Sequence, residues 1–513
     1  MSNNEEHPKP NSNQDNIPPV LKLPPEVLDY CWGYLRRPDL FQLSRVCRVF
    51  WGTSRFRIFQ LLTVNLSSPP ILLFNQKLVL RSTKKSSKTP EHAITRLASF
   101  YSDPGARELW DMVQAWTVAA ALGTFFLVHL EKHEQSITPR CVNTVFQFLS
   151  CSRNLRSLEL ARLDLGRELW VTLQRLPALE TLRLLSCFFS PSSYLEPLKL
   201  KELEIAGGSF NSRPIDEYLV SVLCNPAYLE KLTLIDPFVT HTVLAALSSM
   251  EHFPHLTYLS VLVKSSSRCH FVKFLAAIPS LTILNISPLS GDITPAQPLP
   301  ALSFLRSYNG YPHLLSHIVP GRPIDRVCLV LLVVATSKED NQPDDYAFHT
   351  DLVSHLLDIS RSAVPVRRLK LEYFLPTLQR FSAIARYLPN LHCLDLALIP
   401  FPPQLIPEDL ITSNLEELDY ASNLLDILDT MGIVLSWLTT GRASLPPKLQ
   451  TLRLSYSPGW SDHALSVEGI PQRVIIYCLH GWYPSLCEVQ MGVYRWWREG
   501  GHWSLEILDS EEA

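Results

Sequence analysis

The sequence lacks most of the features that would mark an enzyme, a secreted protein or a membrane protein. Among its 513 residues there is no phosphate-cradling glycine loop, no G-x-S-x-G and no H-E-x-x-H. The eleven cysteines are scattered, with no C-x-x-C and no Cys/His spacing of zinc type, so no metal or disulfide framework is expected and reduced, buried thiols are. Residues 1–16 are polar, mostly Asn, Glu, Gln, Ser and Pro, so no secretory signal is expected and the sequons at Asn65 and Asn285 should stay unmodified. The most apolar run, Val118 to Leu130, is interrupted by Gly123 and His129 and is too short to span a bilayer; it reads as a buried helix. There is also no sustained basic block, because 46 Lys and Arg stand against 49 Asp and Glu for a net charge of −3. Nucleic-acid binding needs a basic footprint, so it is not expected, and the short KKSSK run from Lys84 to Lys88 reads as a solvated loop. His129 and His133 could share a helix face but have no third ligand, and Asp344-Asp345 lie in a polar insertion without a rigid scaffold. These absences predict a cytoplasmic or nuclear protein that is not an enzyme, with no catalytic residues, no cofactor, no metal and no membrane contact.

What the sequence does have is core material and repetition. Hydrophobic residues make up 46% and charged ones 19%, enough to bury a large core over several domains or one elongated array. From about residue 155 a Leu-x-x-Leu-x-Leu unit recurs. Its copies start at Leu155, Leu179, Leu200, Leu229, Leu256, Leu281 and Leu302, then at Val366, Leu391, Leu415 and Leu449, with a degraded copy at Leu486. The Leu-x-Leu alternation predicts a short strand with one buried face, and the stretches between strands read as helices or turns packed back onto them. Among the 40 prolines, those at Pro177, Pro254, Pro279 and Pro389 end the helix before a strand. The gap between Gly310 and Val366 holds IDRVCLVLLVVA, a buried strand by length and β-branching, followed by the surface loop TSKEDNQPDD.

Ahead of the repeats, residues 23–51 read as two amphipathic helices. Pro24 and Pro25 suit a first turn, and Glu26 sits where the helix dipole favours an anion. Val27, Leu28, Cys31, Trp32 and Leu35 form one apolar stripe; Arg36-Arg37-Pro38 ends the helix and Asp39 is placed to cap the next. Leu40, Leu43, Val46, Cys47, Phe50 and Trp51 form a second stripe, so one face should meet a partner or the rest of the chain. Arg55 to Leu66 should be a third helix running into a strand, Ser82 to Pro90 a loop, Glu91 to Phe100 a helix, and Phe125 to Leu130 a cryptic first repeat strand.

The residues Leu23, Pro24, Glu26, Val27, Leu28, Leu35, Asp39, Leu40, Val46, Cys47, Arg48 and Phe50 together resemble an F-box. At Cys31 and Trp32 that family usually carries Ile and Leu. The repeats, over roughly residues 150–495, resemble leucine-rich repeats, although the family's Asn or Cys after the strand is met clearly only by Cys187, with Gly208 or Pro237 at that place elsewhere. The pairing is common in large fungal sets of divergent F-box proteins. It implies an α/β chain: a disordered tail (1–18), an F-box (19–66), a helical linker and first-repeat cap (67–150), an irregular solenoid with parallel strands on its concave face (151–495, loop insertion near 336–346), and a C-terminal cap with an acidic tail (496–513).

The resemblance implies a substrate-recognition subunit of an SCF-type ubiquitin ligase. Leu23, Pro24, Leu28, Leu35, Leu40, Val46 and Cys47 would dock a Skp-type adaptor and, through it, the cullin and RING subunits. The repeats would hold an unknown protein target. The residue between the last two leucines of each unit should point to the concave side. In order these are Glu159, Arg183, Glu204, Thr233, Ser260, Asn285, Arg306, Lys370, Asp395, Asp419 and Arg453, a polar row of mixed sign that suits a protein better than a polyanion. Tyr494, Trp496, Trp497 and Trp503, with Arg495 and Arg498, read as a cap on the end of the array. The alternative is a non-catalytic repeat scaffold outside ubiquitylation.

Overall fold

Three short helices open the structure, a computed structural model. It describes residues 20, 23–65, 112–119, 146–147, 149–161, 163–189, 195–207, 215, 217–250, 252–288, 299–333, 347–348, 351–399, 430–457 and 472–508. The helices are α1 (Pro25–Trp32), α2 (Arg37–Ser44) and α3 (Arg48–Phe59). α1 begins on Pro25, where a missing N–H leaves nothing unsatisfied. α2 starts one turn earlier than its sequence suggests. Its N-cap is Arg36, extended at φ −69° and ψ 151°, because a proline in the first turn needs no acceptor behind it. Asp39 is therefore not the cap; it lies in the first turn and pairs with Arg36 at 3.5 Å.

The stripe from Leu40 to Trp51 predicts one helix, and the structure breaks it in two. Cys47 is extended (φ −157°, ψ 167°) and its sulfur accepts a hydrogen bond from the Phe50 N–H at 3.5 Å, which caps α3. α3 then runs into a strand, as the sequence predicts.

The chain divides into two compact units, Met1–Asn225 and Pro226–Ala513. The strands of the first are β1 (Leu61–Asn65), β2 (Ala115–Ala119), β3 (Ser157–Ala161), β4 (Asp164–Leu165), β5 (Thr181–Leu185), β6 (Phe188–Phe189) and β7 (Glu202–Ala206). β1, β2, β3, β5 and β7 pair in that order, all parallel, while β4 pairs with β6. Val118 thus lies in a strand rather than a helix; residues 120–130 are outside the described ones.

The second unit has β8 (Lys231–Leu234), β9 (Tyr258–Val263), β10 (Ile283–Pro288), β11 (Ser307–Gly310), β12 (Arg326–Val330), β13 (Leu332–Val333) and β14 (Ala347–Phe348). After these come β15 (Arg368–Phe374), β16 (Cys393–Leu398), β17 (Thr451–Tyr456), β18 (Glu488–Met491), β19 (Tyr494–Glu499) and β20 (His502–Ile507). From β8 to β18 the main sheet is parallel, in the order β8-β9-β10-β11-β12-β15-β16-β17-β18, and β19 and β20 add to it as an antiparallel hairpin. β13 and β14 form a separate antiparallel pair. The fold is mixed α/β with an open, mostly parallel sheet.

Leucine alternation produces this sheet. Leu158 and Leu160, Leu182 and Leu184, Leu369 and Leu371, and Leu394 and Leu396 are almost fully buried, while the residues between them stay half-open or exposed. Each buried leucine contributes roughly 1.5–3 kcal/mol. Helices such as Arg167–Gln174, Arg268–Ala276 and Leu378–Tyr387 bury one apolar stripe each.

Register is fixed by a backbone device that recurs from strand to strand. One turn carbonyl accepts the two N–H groups that lead into the next strand. The Arg156 carbonyl takes Glu180 and Thr181, that of Thr257 takes Thr282 and Ile283, and that of Arg367 takes His392 and Cys393. The same device begins at Gln60, so the parallel array starts well before residue 151. It also includes Asp325, whose carbonyl takes Arg367 and Arg368, and this makes β12 a full member of the sheet between β11 and β15. The His392 carbonyl takes Gln450 and Thr451 directly, and β16 pairs with β17. Residues 415–420, with Asp419, lie outside the described ones, as do 82–100, 125–133 and 336–345.

Candidate binding surfaces

The three-helix module closes around a small core. Leu28, Trp32, Leu40, Phe50 and Ile58 are buried, with Phe41, Leu43 and Cys47 packed against them. Trp32 meets Phe50 edge to face at 5.4 Å and donates its indole N–H to Thr53 Oγ1 at 2.9 Å, so its bulk and its polar tip are both satisfied. Trp32, where the resembled family has an aliphatic residue, is therefore a core residue; Cys31 is exposed.

What the core leaves outside is also apolar. Val27 is 41% exposed, Tyr30 67% and Tyr34 74%, and with exposed Cys31 they recur at three- and four-residue spacing. The Tyr30 and Tyr34 rings meet edge to face at 5.2 Å, and the Tyr34 hydroxyl donates to that of Tyr30 at 2.6 Å. Leu23, Leu35, Val46, Val49 and Trp51 are exposed as well. This sorts the expected adaptor contacts. Leu23, Pro24, Leu35 and Val46 are exposed, whereas Leu28 at 2% and Leu40 at 4% are core residues, and Cys47 is half-buried as a helix cap. Leu28 and Leu40 cannot touch a partner, because a stripe two residues wide has one edge inside and one outside. Val27 and Trp51 belong to the apolar stripes read from the sequence but were not among the expected adaptor contacts, and Tyr30, Tyr34 and Val49 were not singled out; the i, i+3, i+7 spacing of Val27, Tyr30 and Tyr34, on α1 and just past its end, is the signal for the two tyrosines.

The sheet offers a second surface. In the first unit Thr117, Glu159, Arg183 and Glu204 stand opposite one another in register. Arg183 reaches both neighbours, at 3.8 Å from Glu159 and 3.4 Å from Glu204. In the second unit the row runs Thr233, Ser260, Asn285, Asn309, Cys328, Lys370, Asp395, Arg453, Gln490, Arg495 and Glu506. Thr233 is buried, and Asn285 donates to the Tyr258 hydroxyl at 2.7 Å.

Arg306 does not belong to this row. Its carbonyl accepts from Asp325 and Arg326, which places it at the turn, and Asn309 holds the open-face position. The unit reads Leu305-Arg-Ser-Tyr308-Asn-Gly310, with Tyr308 as the buried ring, and an earlier Leu302 misaligned the pattern by three residues. Asn309, Cys328 and Gln490 were not named from sequence, though Ile324-x-x-Val327-x-Leu329 carries the same spacing once any aliphatic residue is accepted.

Charges of the second row pair along and across strands. Lys370 Nζ lies 3.0 Å from Glu372, Arg453 lies 3.1 Å from Glu488, and Arg495 reaches Glu488 at 3.2 Å and Glu506 at 3.5 Å. Burial pulls the Lys370 ammonium down, but its hydrogen bond to Glu372 and the charges of Glu372 and Asp395 outweigh this and hold it above its ordinary value. Burial pushes the Asp395 carboxyl up, only partly offset by Lys370 and Arg453. Burial also pushes the Cys328 thiol up to about 12, so it is neutral at physiological pH.

At the end of the sheet, Trp496 is buried, and the β19–β20 hairpin pairs with the last parallel strand. Cys187 donates its thiol hydrogen to the Leu160 carbonyl of the preceding strand at 3.2 Å, a sideways link between units. Among the described residues no three His, Cys, Asp or Glu gather as a metal site, and no helix is long and apolar enough to cross a membrane. No family model matches the chain, and no curated protein is similar to it in sequence.

Proposed function

We propose that the chain is a substrate-recognition subunit of an SCF-type ubiquitin ligase, with α1–α3 acting as a divergent F-box and the strand units as an irregular leucine-rich-repeat solenoid. The observation that carries this reading is the apolar stripe of Val27, Tyr30 and Tyr34, with Leu23 and Leu35, left in solvent by a module whose core is already closed. A small helical module gains nothing from such a stripe unless a partner covers it. The order of Leu23, Pro24, Leu35, Asp39, Val46 and Arg48 resembles the F-box, and this names the partner as a Skp-type adaptor. The polar open face of the strand units then holds the target. The subunit performs no chemistry; it raises the target's effective concentration beside the conjugating enzyme.

The test is co-purification of the full chain with a Skp-type adaptor, followed by reconstitution with cullin and RING subunits. Wild type should bind the adaptor, and Val27→Asp with Tyr30→Ala should weaken binding at least about tenfold, a loss of roughly 1.4 kcal/mol. No binding by the wild-type chain, or equal binding by the double variant, overturns the adaptor reading.

A further inference from the structure

Asp395 stands in the middle of the charged stretch of the second unit's open face, opposite Lys370 on one side and Arg453 on the other. Neither cation turns to it. Lys370 gives its short contact to Glu372 at 3.0 Å, and Arg453 gives its own to Glu488 at 3.1 Å. Farther along the row Arg495 and Glu506 pair with each other. Among the charged residues of this row from Lys370 to Glu506, Asp395 alone has a side chain that makes no hydrogen bond and no ion pair with the described residues. It is half-buried, and a carboxylate held there without a partner is costly.

The surroundings fit one kind of ligand. Cys393 and Ala397 lie two residues to either side of Asp395, on the same side of β16 by the strand period. Cys393 is half-open and offers an apolar contact for a methylene stem, the shape of a long basic side chain lying over the sheet, while Ala397 is buried. Because Lys370, Arg453 and Arg495 are already occupied by carboxylates, an anionic ligand would have to displace existing pairs, whereas a cation would complete an empty one.

We infer that the open face around Asp395 receives an arginine or lysine side chain from a polypeptide partner, with the Asp395 carboxylate accepting its charge. This rests on the reading that the open face holds a protein, and it adds the chemistry that the bound segment must carry.

The experiment pans a random-peptide library against the full chain and measures the affinity of the enriched peptides for wild type, Asp395→Asn and Asn309→Trp. Asn309 lies three strands from Asp395 on the same face, about 14 Å at ordinary strand spacing, so a tryptophan there obstructs that face without touching the carboxylate. Enriched peptides should share a basic residue and should lose at least about tenfold in affinity for Asp395→Asn, which removes charge while keeping shape. They should also weaken with Asn309→Trp, and both variants should unfold with the cooperativity of wild type. If the peptides are blocked by Asn309→Trp but carry acidic residues, or no fixed charge, the inference about Asp395 falls and the open-face reading stands. If basic peptides bind Asp395→Asn as tightly as wild type, the inference falls as well. If no enriched peptide responds to either variant, both fall together.

Discussion

The three-helix module and the open face of the sheet leave opposite materials in solvent. The module exposes aliphatic and aromatic side chains whose polar needs are already met, as in the Tyr30–Tyr34 pair. The sheet exposes charges that mostly satisfy one another, as Arg183 does between Glu159 and Glu204. Covering the first surface is favourable in proportion to area, at roughly 25 cal/mol per Å². Covering the second exchanges existing pairs for new ones, which yields specificity more than affinity. A permanent partner therefore suits the module, and a selected partner suits the sheet.

The largest expected effect tests where the module's core ends and its surface begins. Leu28→Ala removes a side chain that is 2% exposed and should cost about 2–5 kcal/mol. Val46→Ala alters one that is 68% exposed and should stay within about 0.5 kcal/mol. Hydrogen exchange of the α1–α3 amides in the full chain reads both, and equal loss of protection would break the distinction between the two positions. The adaptor experiment with Val27→Asp and Tyr30→Ala comes next in size. Its expected signature is the inverse of Leu28→Ala: adaptor affinity falls while amide protection in the module is kept.

A smaller effect sharpens the account of the sheet. Arg183→Ala breaks two ion pairs at 3.4 Å and 3.8 Å, but the arginine side chain is 45% exposed. Solvent screening limits the loss to no more than about 1 kcal/mol, and it should shrink further in high salt. A larger, salt-independent loss by denaturant titration would mean that the row contributes to folding as well as to recognition.

Much of this architecture is legible in the sequence. The Leu-x-Leu alternation gives the parallel strands and their inner face, and the helical spacing gives α1. Three things escaped for physical reasons. β1, β2 and β12 carry Phe, Val, Trp and Ile at positions where the repeat elsewhere has Leu, so a leucine pattern passes over them. Arg306 was misplaced because Leu302 and Leu305 both fit a pattern that only the turn carbonyl resolves. The module's inner and outer residues were merged because Val27 and Leu28 are neighbours in sequence, and spacing alone cannot say which of the two meets Phe50 and Ile58. Pairing between side chains, which singles out Asp395, has no signature in a single sequence at all.

The smallest effect separates Asp395 from every other charge of its row. Burial holds its folded carboxyl above the ordinary value of 3.8, and Lys370 and Arg453 offset this only in part. The folded chain therefore holds that proton more tightly than the unfolded chain does. The resulting stabilisation is fully present below about pH 3.8 and is lost as pH rises through the raised folded value. At neutral pH the ionised carboxylate is a net cost, so Asp395→Asn should stabilise the free chain, by no more than about 0.5 kcal/mol for a half-open site. That gain should disappear in acid, where wild type is itself protonated. Thermal unfolding of the two proteins at neutral and acidic pH measures it. A destabilised Asp395→Asn at neutral pH would mean that the carboxylate already has its partner within the fold, and the sheet would then resemble Arg183 throughout, with every charge satisfied from within.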